Sequence, residues 1–291
     1  MSGFRFCAAA AMLIGCLTSM VSMAQLAPVQ AKAAGLPSYT IAGTDGAVAM
    51  PAMLPAGYVR ITFVNNGKMP NELQFFWLHH SVSDRQFLAA LNNQKNPEAV
   101  DGVASAAGGV NQVMPGMRGT VIVRLRVGHY VVVAFGAKGG TIRAHFRVQM
   151  RSWSDFTPPP FDTQIFLKNY QIITHYELTE REPLVVRVVN EGPSTHELSL
   201  ARVPNGTTRW QVIACVKEQK PDKVCQTLMA AMSYVGGSGA IAPYSAERVE
   251  WRLPPGTYVA ACFVPNMMNM PHAALGMVTV FVVQARDTDG D

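Results

Sequence analysis

The chain has 291 residues, with 24 Lys and Arg against 19 Asp and Glu and a formal net charge of +5. A surplus this small, without a basic run, gives no case for nucleic-acid binding. Roughly 260 residues remain once a leader is set aside, enough for two domains that each bury a core.

Met1 to Phe6 carries one Arg and no acid, and an apolar run from Cys7 to about Val21 follows. That is the pattern of a secretory signal peptide. Cleavage is expected after Ala24 or Ala33, within a leader spanning 1–33, while Leu13-Ile14-Gly15-Cys16 also resembles a bacterial lipobox and offers Cys16 as a lipid anchor, the less favoured alternative. No other run reaches the ~18 apolar residues of a membrane span. The expected location is periplasmic or secreted.

The rest of the chain repeats itself. VRITFVNNGKMPNEL (59–73) and LVVRVVNEGPSTHEL (184–198) each read as a strand, a turn and a return, with Asn65 to Asn71 spaced as Asn190 to His196. At a constant offset of 128, Gly108-Gly109 matches Gly236-Gly237, Pro115 matches Pro243 and LRVGHY (125–130) matches LPPGTY (253–258). Valine-rich alternating runs broken by Gly and Pro predict strands, and VSDRQFLAALNNQ (82–94) and a cysteine-bearing insertion supply one helical stretch per copy. Repeated short strands imply an all-β protein: two tandem β-sandwiches or Greek-key barrels, each with a helix in a long connection. The expected boundaries are 36–150 and 163–286, joined by the proline-rich linker 151–162.

After loss of Cys7 and Cys16 with the leader, Cys215, Cys225 and Cys262 remain, an odd number for an oxidising compartment. Cys215 and Cys225 lie close together in the helical insertion and are expected to pair. Cys262 is left either as a small core residue or as a thiolate held by a metal. It opens the loop ACFVPNMMNMPHAALGM (261–277), which also carries His272, Met277 and three further methionines, Met267, Met268 and Met270. Soft sulfur donors beside an imidazole suit copper better than magnesium or calcium.

The second repeat resembles the cupredoxin family, Greek-key sandwiches that hold one type 1 (blue) copper ion. The resemblance rests on His196 after the Asn-containing turn of NEGPSTHEL, and on Cys262, His272 and Met277 after LPPGTYVAAC. It implies those four residues as ligands of a single copper: two imidazoles, a thiolate and a weak axial thioether. The ten-residue step from Cys262 to His272 is longer than in the small electron carriers. In the first repeat Asn71, Ala134, Ala137 and Ile142 occupy the four corresponding positions, so no metal is expected there. His79-His80 is set aside as a second site, because neighbours on a strand point to opposite faces.

Electron transfer with a redox protein is the leading expectation. A carrier or resistance protein serving copper-handling partners through Met267, Met268 and Met270 stands second, and a non-catalytic interaction module with a vestigial site third. An oxidase or reductase is disfavoured: Ala261 and Phe263 flank the cysteine where resembling enzymes place histidine, and the seven histidines contain no His-x-His pair.

Overall fold

The computed structural model describes residues 35–135, 141–152, 154, 156–175, 177–218 and 222–286. The expected leader, with its cleavage sites, Cys7 and Cys16, lies outside them, as does Ala137. Residues 36–291 form one compact unit.

In chain order the first half supplies β1 (Ser38–Gly43), β2 (Val48–Ala49), β3 (Met53–Pro55), β4 (Gly57–Asn65), β5 (Asn71–Leu78), α1 (Asp84–Leu91), a 3-10 turn (Pro97–Gly102), β6 (Ala104–Val113), β7 (Arg118–Leu125), β8 (Gly128–Phe135) and β9 (Thr141–Gln149). The second half supplies β10 (Thr163–Lys168), β11 (Gln171–Ile173), β12 (Glu177–Thr179), β13 (Leu184–Asn190), β14 (His196–Val203), α2 (Arg209–Lys217), α3 (Lys223–Ala231), β15 (Ser233–Ile241), β16 (Ala246–Trp251), β17 (Gly256–Ala261), a 3-10 turn (His272–Leu275) and β18 (Val278–Gln284). The fold is all-β, built as β-sandwiches, and the helices sit in the two long connections where the repeat placed them. Each connection starts its helix with the same device: Ser83 with Gln86 at α1, and Thr208 with Gln211 at α2, form reciprocal capping boxes.

Two sheets run through both halves, in the orders β11-β10-β13-β16-β7-β4-β1-β2 and β12-β18-β17-β14-β15-β6-β5-β8-β9-β3. Each order is a palindrome of the repeat, with its centre at β16·β7 in one sheet and β15·β6 in the other. The register fixes the symmetry. Val249 pairs with Val121 and Ser238 with Val110, and each pair is separated by the repeat offset of 128. A residue therefore meets its own counterpart across both seams, the signature of a two-fold interface written within one chain. The principal core is continuous across the seam, with Val110, Val121 and Val123 in one cluster with Leu198, Ile241 and Val249.

The repeat is also atomic. Tyr130 and Tyr258 each donate their hydroxyl to the carbonyl four residues earlier, Arg126 O at 3.1 Å and Pro254 O at 2.6 Å, as a tyrosine corner does. Gly109 and Gly237 hold φ of +151° and +156°, and a β-carbon at either would stand 1.9 Å from a backbone oxygen, that of Leu73 or Leu198. Only glycine fits both the torsion and the space.

Candidate metal centre

The turn before His196 is set by Asn190. Its amide donates to Ser194 O at 2.8 Å and Ile241 O at 2.9 Å, and its oxygen accepts from Gly192 N at 2.9 Å. Asn65 makes the same three bonds, to Met69 O, Val113 O and from Gly67 N. This shared clamp is why the two turns have one spacing, and it delivers His196 and Asn71 as the first residues of β14 and β5.

Cys262 follows β17, and the long interval to His272 is taken up by a looped-out tip. Ala273 N donates to Cys262 O at 2.7 Å, His272 N to Val264 O at 3.0 Å and Met277 N to His272 O at 3.0 Å. The backbones of the three residues are thus tied together at the base of the loop. Between them, Asn266 folds the tip by accepting from Met268 N and Met270 N. A loop closed at its base by these bonds holds the donors together whatever the length of its tip.

The structure brings three of the expected ligands to one point. His196 Nδ1 lies 3.0 Å from His272 Nδ1, and Cys262 Sγ lies 3.9 Å and 3.6 Å from those two atoms. An ion about 2.0–2.3 Å from each of two nitrogens and a sulfur in a trigonal plane needs donor separations of roughly 3.5–3.8 Å. The 3.6 Å contact is at that span and the 3.9 Å contact lies just beyond it. The third is shortened because one ring donates a hydrogen bond to the other. Met277 is fully buried beside them, and its carbonyl accepts from Cys262 N at 3.2 Å. His196 and Cys262 have no exposure, and His272 has 2%.

Surrounding groups fix the donors. His196 Nε2 faces Asn169 Oδ1 at 3.4 Å, which keeps the proton on Nε2 and turns the Nδ1 lone pair inward. Gly192 makes room for this contact, since a β-carbon there would be 3.0 Å from Nε2. The Tyr170 ring stands edge-on to His272 at 5.3 Å. Glu197 N donates to Cys262 Sγ at 3.5 Å, and the Glu197 carboxylate accepts from Phe263 N at 3.1 Å. Burial pulls His196 down to about 4, with the charge of His272 adding to it, and burial also lowers His272. Burial first, then the charge of Glu197, push the Cys262 thiol far above its usual range. Both imidazoles are therefore neutral at pH 7, and the ring whose Nδ1 donates to the other would move that proton to Nε2 to ligate. A metal held by Cys262 would have to displace the thiol proton.

Other sequence-marked residues fall elsewhere. Met267, Met268 and Met270 are exposed at 64%, 73% and 38% on the loop tip. His79 and His80 lie just past the end of β5, not on a strand. His79 hydrogen-bonds Ser105 Oγ and Gly102 O. Cys215 and Cys225 form the disulfide between α2 and α3. In the first half Asn71 and the buried Ala134 stand at the His196 and Cys262 positions, and Ala134 pairs with Ile142 as Cys262 bonds to Met277. Among the described residues one further group of metal-binding type occurs, Glu218, Asp222 and Cys225, but Cys225 is in the disulfide and Asp222 caps α3. The sequence reading missed Asn169, which only the turn between β10 and β11 carries to the site, and Glu197, whose register the NEL/HEL repeat displays.

No family model and no curated protein matches the chain. Solved structures that are similar include an auracyanin from Roseiflexus castenholzii, 19% identical over 43% of this chain and 99% of that one, with a TM-score of 0.29. A multicopper oxidase is 14% identical over 86% of this chain and 89% of its own, with a TM-score of 0.25. A copper-containing nitrite reductase of Thermus scotoductus is 11% identical over 86% of this chain and 61% of its own, also with a TM-score of 0.25. Scores this low carry no weight about this chain. Its own β-sandwich fold brings His196, Cys262 and His272 together as a buried group that could hold a metal ion, with the buried Met277 alongside.

Proposed function

We propose that this is an extracytoplasmic copper protein that holds one type 1 ion on His196, Cys262, His272 and Met277 and passes single electrons to a redox partner. The observation that carries the reading is the convergence of three buried donors, at 3.0, 3.6 and 3.9 Å from one another, one at the start of β14 and two from a loop 66 and more residues further along the chain. Copper bound by two imidazoles, a thiolate and a thioether exchanges an electron with little change of geometry. The chain does the rest. Asn169 orients His196, the N–H of Glu197 tempers charge on the sulfur, and the closed loop base keeps water from the donors. No catalytic role is assigned.

Loading the mature protein with Cu(II) and recording visible and EPR spectra tests this. A strong charge-transfer band that vanishes in Cys262→Ser is expected, followed by reduction by a small cytochrome. The second reading, a copper carrier, is favoured by the exposure of Met267, Met268 and Met270, since thioethers suit Cu(I). Tight Cu(I) binding without the band, lost when the three are changed to leucine, would select it.

A further inference from the structure

The seam between the halves carries a donor set that the soft metal centre does not use. The NEL and HEL segments put Glu72 second in β5 and Glu197 second in β14, as repeat counterparts on either side of the palindrome. Both half-buried glutamates line one cavity of about 490 Å³, together with Asn111, Asn71 and Tyr234. No lysine, arginine or histidine lines it. Neither carboxylate is among the ion pairs of the described residues. They stand near enough for the charge of Glu197 to act on Glu72. A second cavity of about 420 Å³ shares both glutamates and adds Glu98 and Asp101, again with no lysine or arginine.

Acidic residues alone would mean little, because carboxylates at a cleft are ordinarily satisfied by water. Asn111 is the independent observation. It lines the same cavity from β6, it is 2% exposed, and its side-chain oxygen has no hydrogen-bond partner. A buried carbonyl oxygen left without a donor is destabilising, and such groups in a native fold call for a ligand or another explanation. Two carboxylates and an amide oxygen, with no donor of opposite sign, form an all-oxygen set. Such a set suits a hard divalent cation and not the soft ion expected at Cys262.

We propose that Glu72, Glu197 and Asn111 hold a hard divalent cation of the Ca²⁺ or Mn²⁺ type at the seam. The ligands come from both halves, so the ion would pin them together where Gln74 already bridges to Ala240. It would also touch the neighbourhood of the thiolate, because Glu197 contacts both Cys262 Sγ and Phe263 N. The site does not rest on the copper reading.

The test is a Mn²⁺ titration of the copper-free full-length mature chain, followed by loss of the free-ion EPR signal, with Ca²⁺ as competitor and the thermal midpoint as second readout. One Mn²⁺ per chain is expected, with a Kd no weaker than about 1 mM, the range of extracytoplasmic oxygen-donor sites, and a midpoint that rises with the ion. Glu72→Gln, which keeps size and shape, should weaken binding at least tenfold, and Asn111→Leu should do the same. Cys262→Ser should bind Mn²⁺ as the parent does while losing any visible copper band, so the two proposals fail separately. Absence of Mn²⁺ binding by the parent at about 1 mM, or undiminished binding by Glu72→Gln, overturns the site.

Discussion

The two halves share one backbone plan to the level of single hydrogen bonds, yet among the described residues only the second brings together a His and Cys group able to hold a metal ion. Asn65 and Asn190 clamp their turns through the same three contacts, Tyr130 and Tyr258 tie the same corner, and Gly109 and Gly237 approach equivalent carbonyls. What differs is chemistry at the strand ends: Asn71 and Ala134 on one side, His196 and Cys262 on the other. The scaffold is therefore indifferent to the metal. Folding is set by turns, corners and core, and the donors are carried on top of it at positions where a small or polar residue serves as well.

Substitutions in both halves break or sharpen this contrast, and the largest effect belongs to the residue that the halves do not share. Cys262→Ser should abolish the charge-transfer band entirely, as read by visible spectroscopy, while Ala134→Ser leaves it intact. Next, Gly109→Ala and Gly237→Ala should each destabilise the protein by about 1–3 kcal/mol from the backbone torsion alone, and by similar amounts in urea, because the clash with Leu73 O or Leu198 O is the same. A large asymmetry between the two would show that the halves do not unfold as one unit.

Glu247 gives the pH prediction. It is 1% exposed at the seam, it accepts from Gly109 N at 2.9 Å, and burial raises it to about 8 against hydrogen bonds that lower it. The folded state then holds a proton that the unfolded chain releases near its ordinary carboxylate value. Stability from this group is full below that value and is lost as pH rises toward 8, by up to roughly 1.4 kcal/mol per pH unit. Glu247→Gln should remove that decline, as seen in thermal midpoints from pH 5 to 9. Smallest of all, Tyr130→Phe and Tyr258→Phe should each cost about 1 kcal/mol and leave the fold and the spectrum unchanged.

Much of the fold was legible before any coordinates. The spacing of Asn65–Asn71 and Asn190–His196 and the paired glycines displayed two copies of a β unit, since a turn that needs one amide clamp and a strand that needs one glycine leave fixed marks. The cysteine pair in the insertion was legible for the same local reason, and Cys262 stood out by being left over. Other features were not legible. The extent of the loop tip hid how closely Cys262 and His272 are joined, because the bonds from Ala273 to Cys262 and from His272 to Val264 follow no sequence pattern. Nor was the exposure of the loop methionines legible, since it follows from the way Asn266 folds the tip.

The sequence by itself determined the repeat, the strand-rich class and which residues are chemically able to ligate a soft ion, because these depend on residue type and short-range spacing. Only the tertiary structure decided that the two copies join edge to edge at Val121–Val249 and Val110–Ser238, that His196 meets the Cys262 and His272 of a distant loop within 3.9 Å, and that Glu72, Glu197 and Asn111 share one cavity. Those facts depend on how buried faces pack against one another over the whole chain, and no local pattern encodes them.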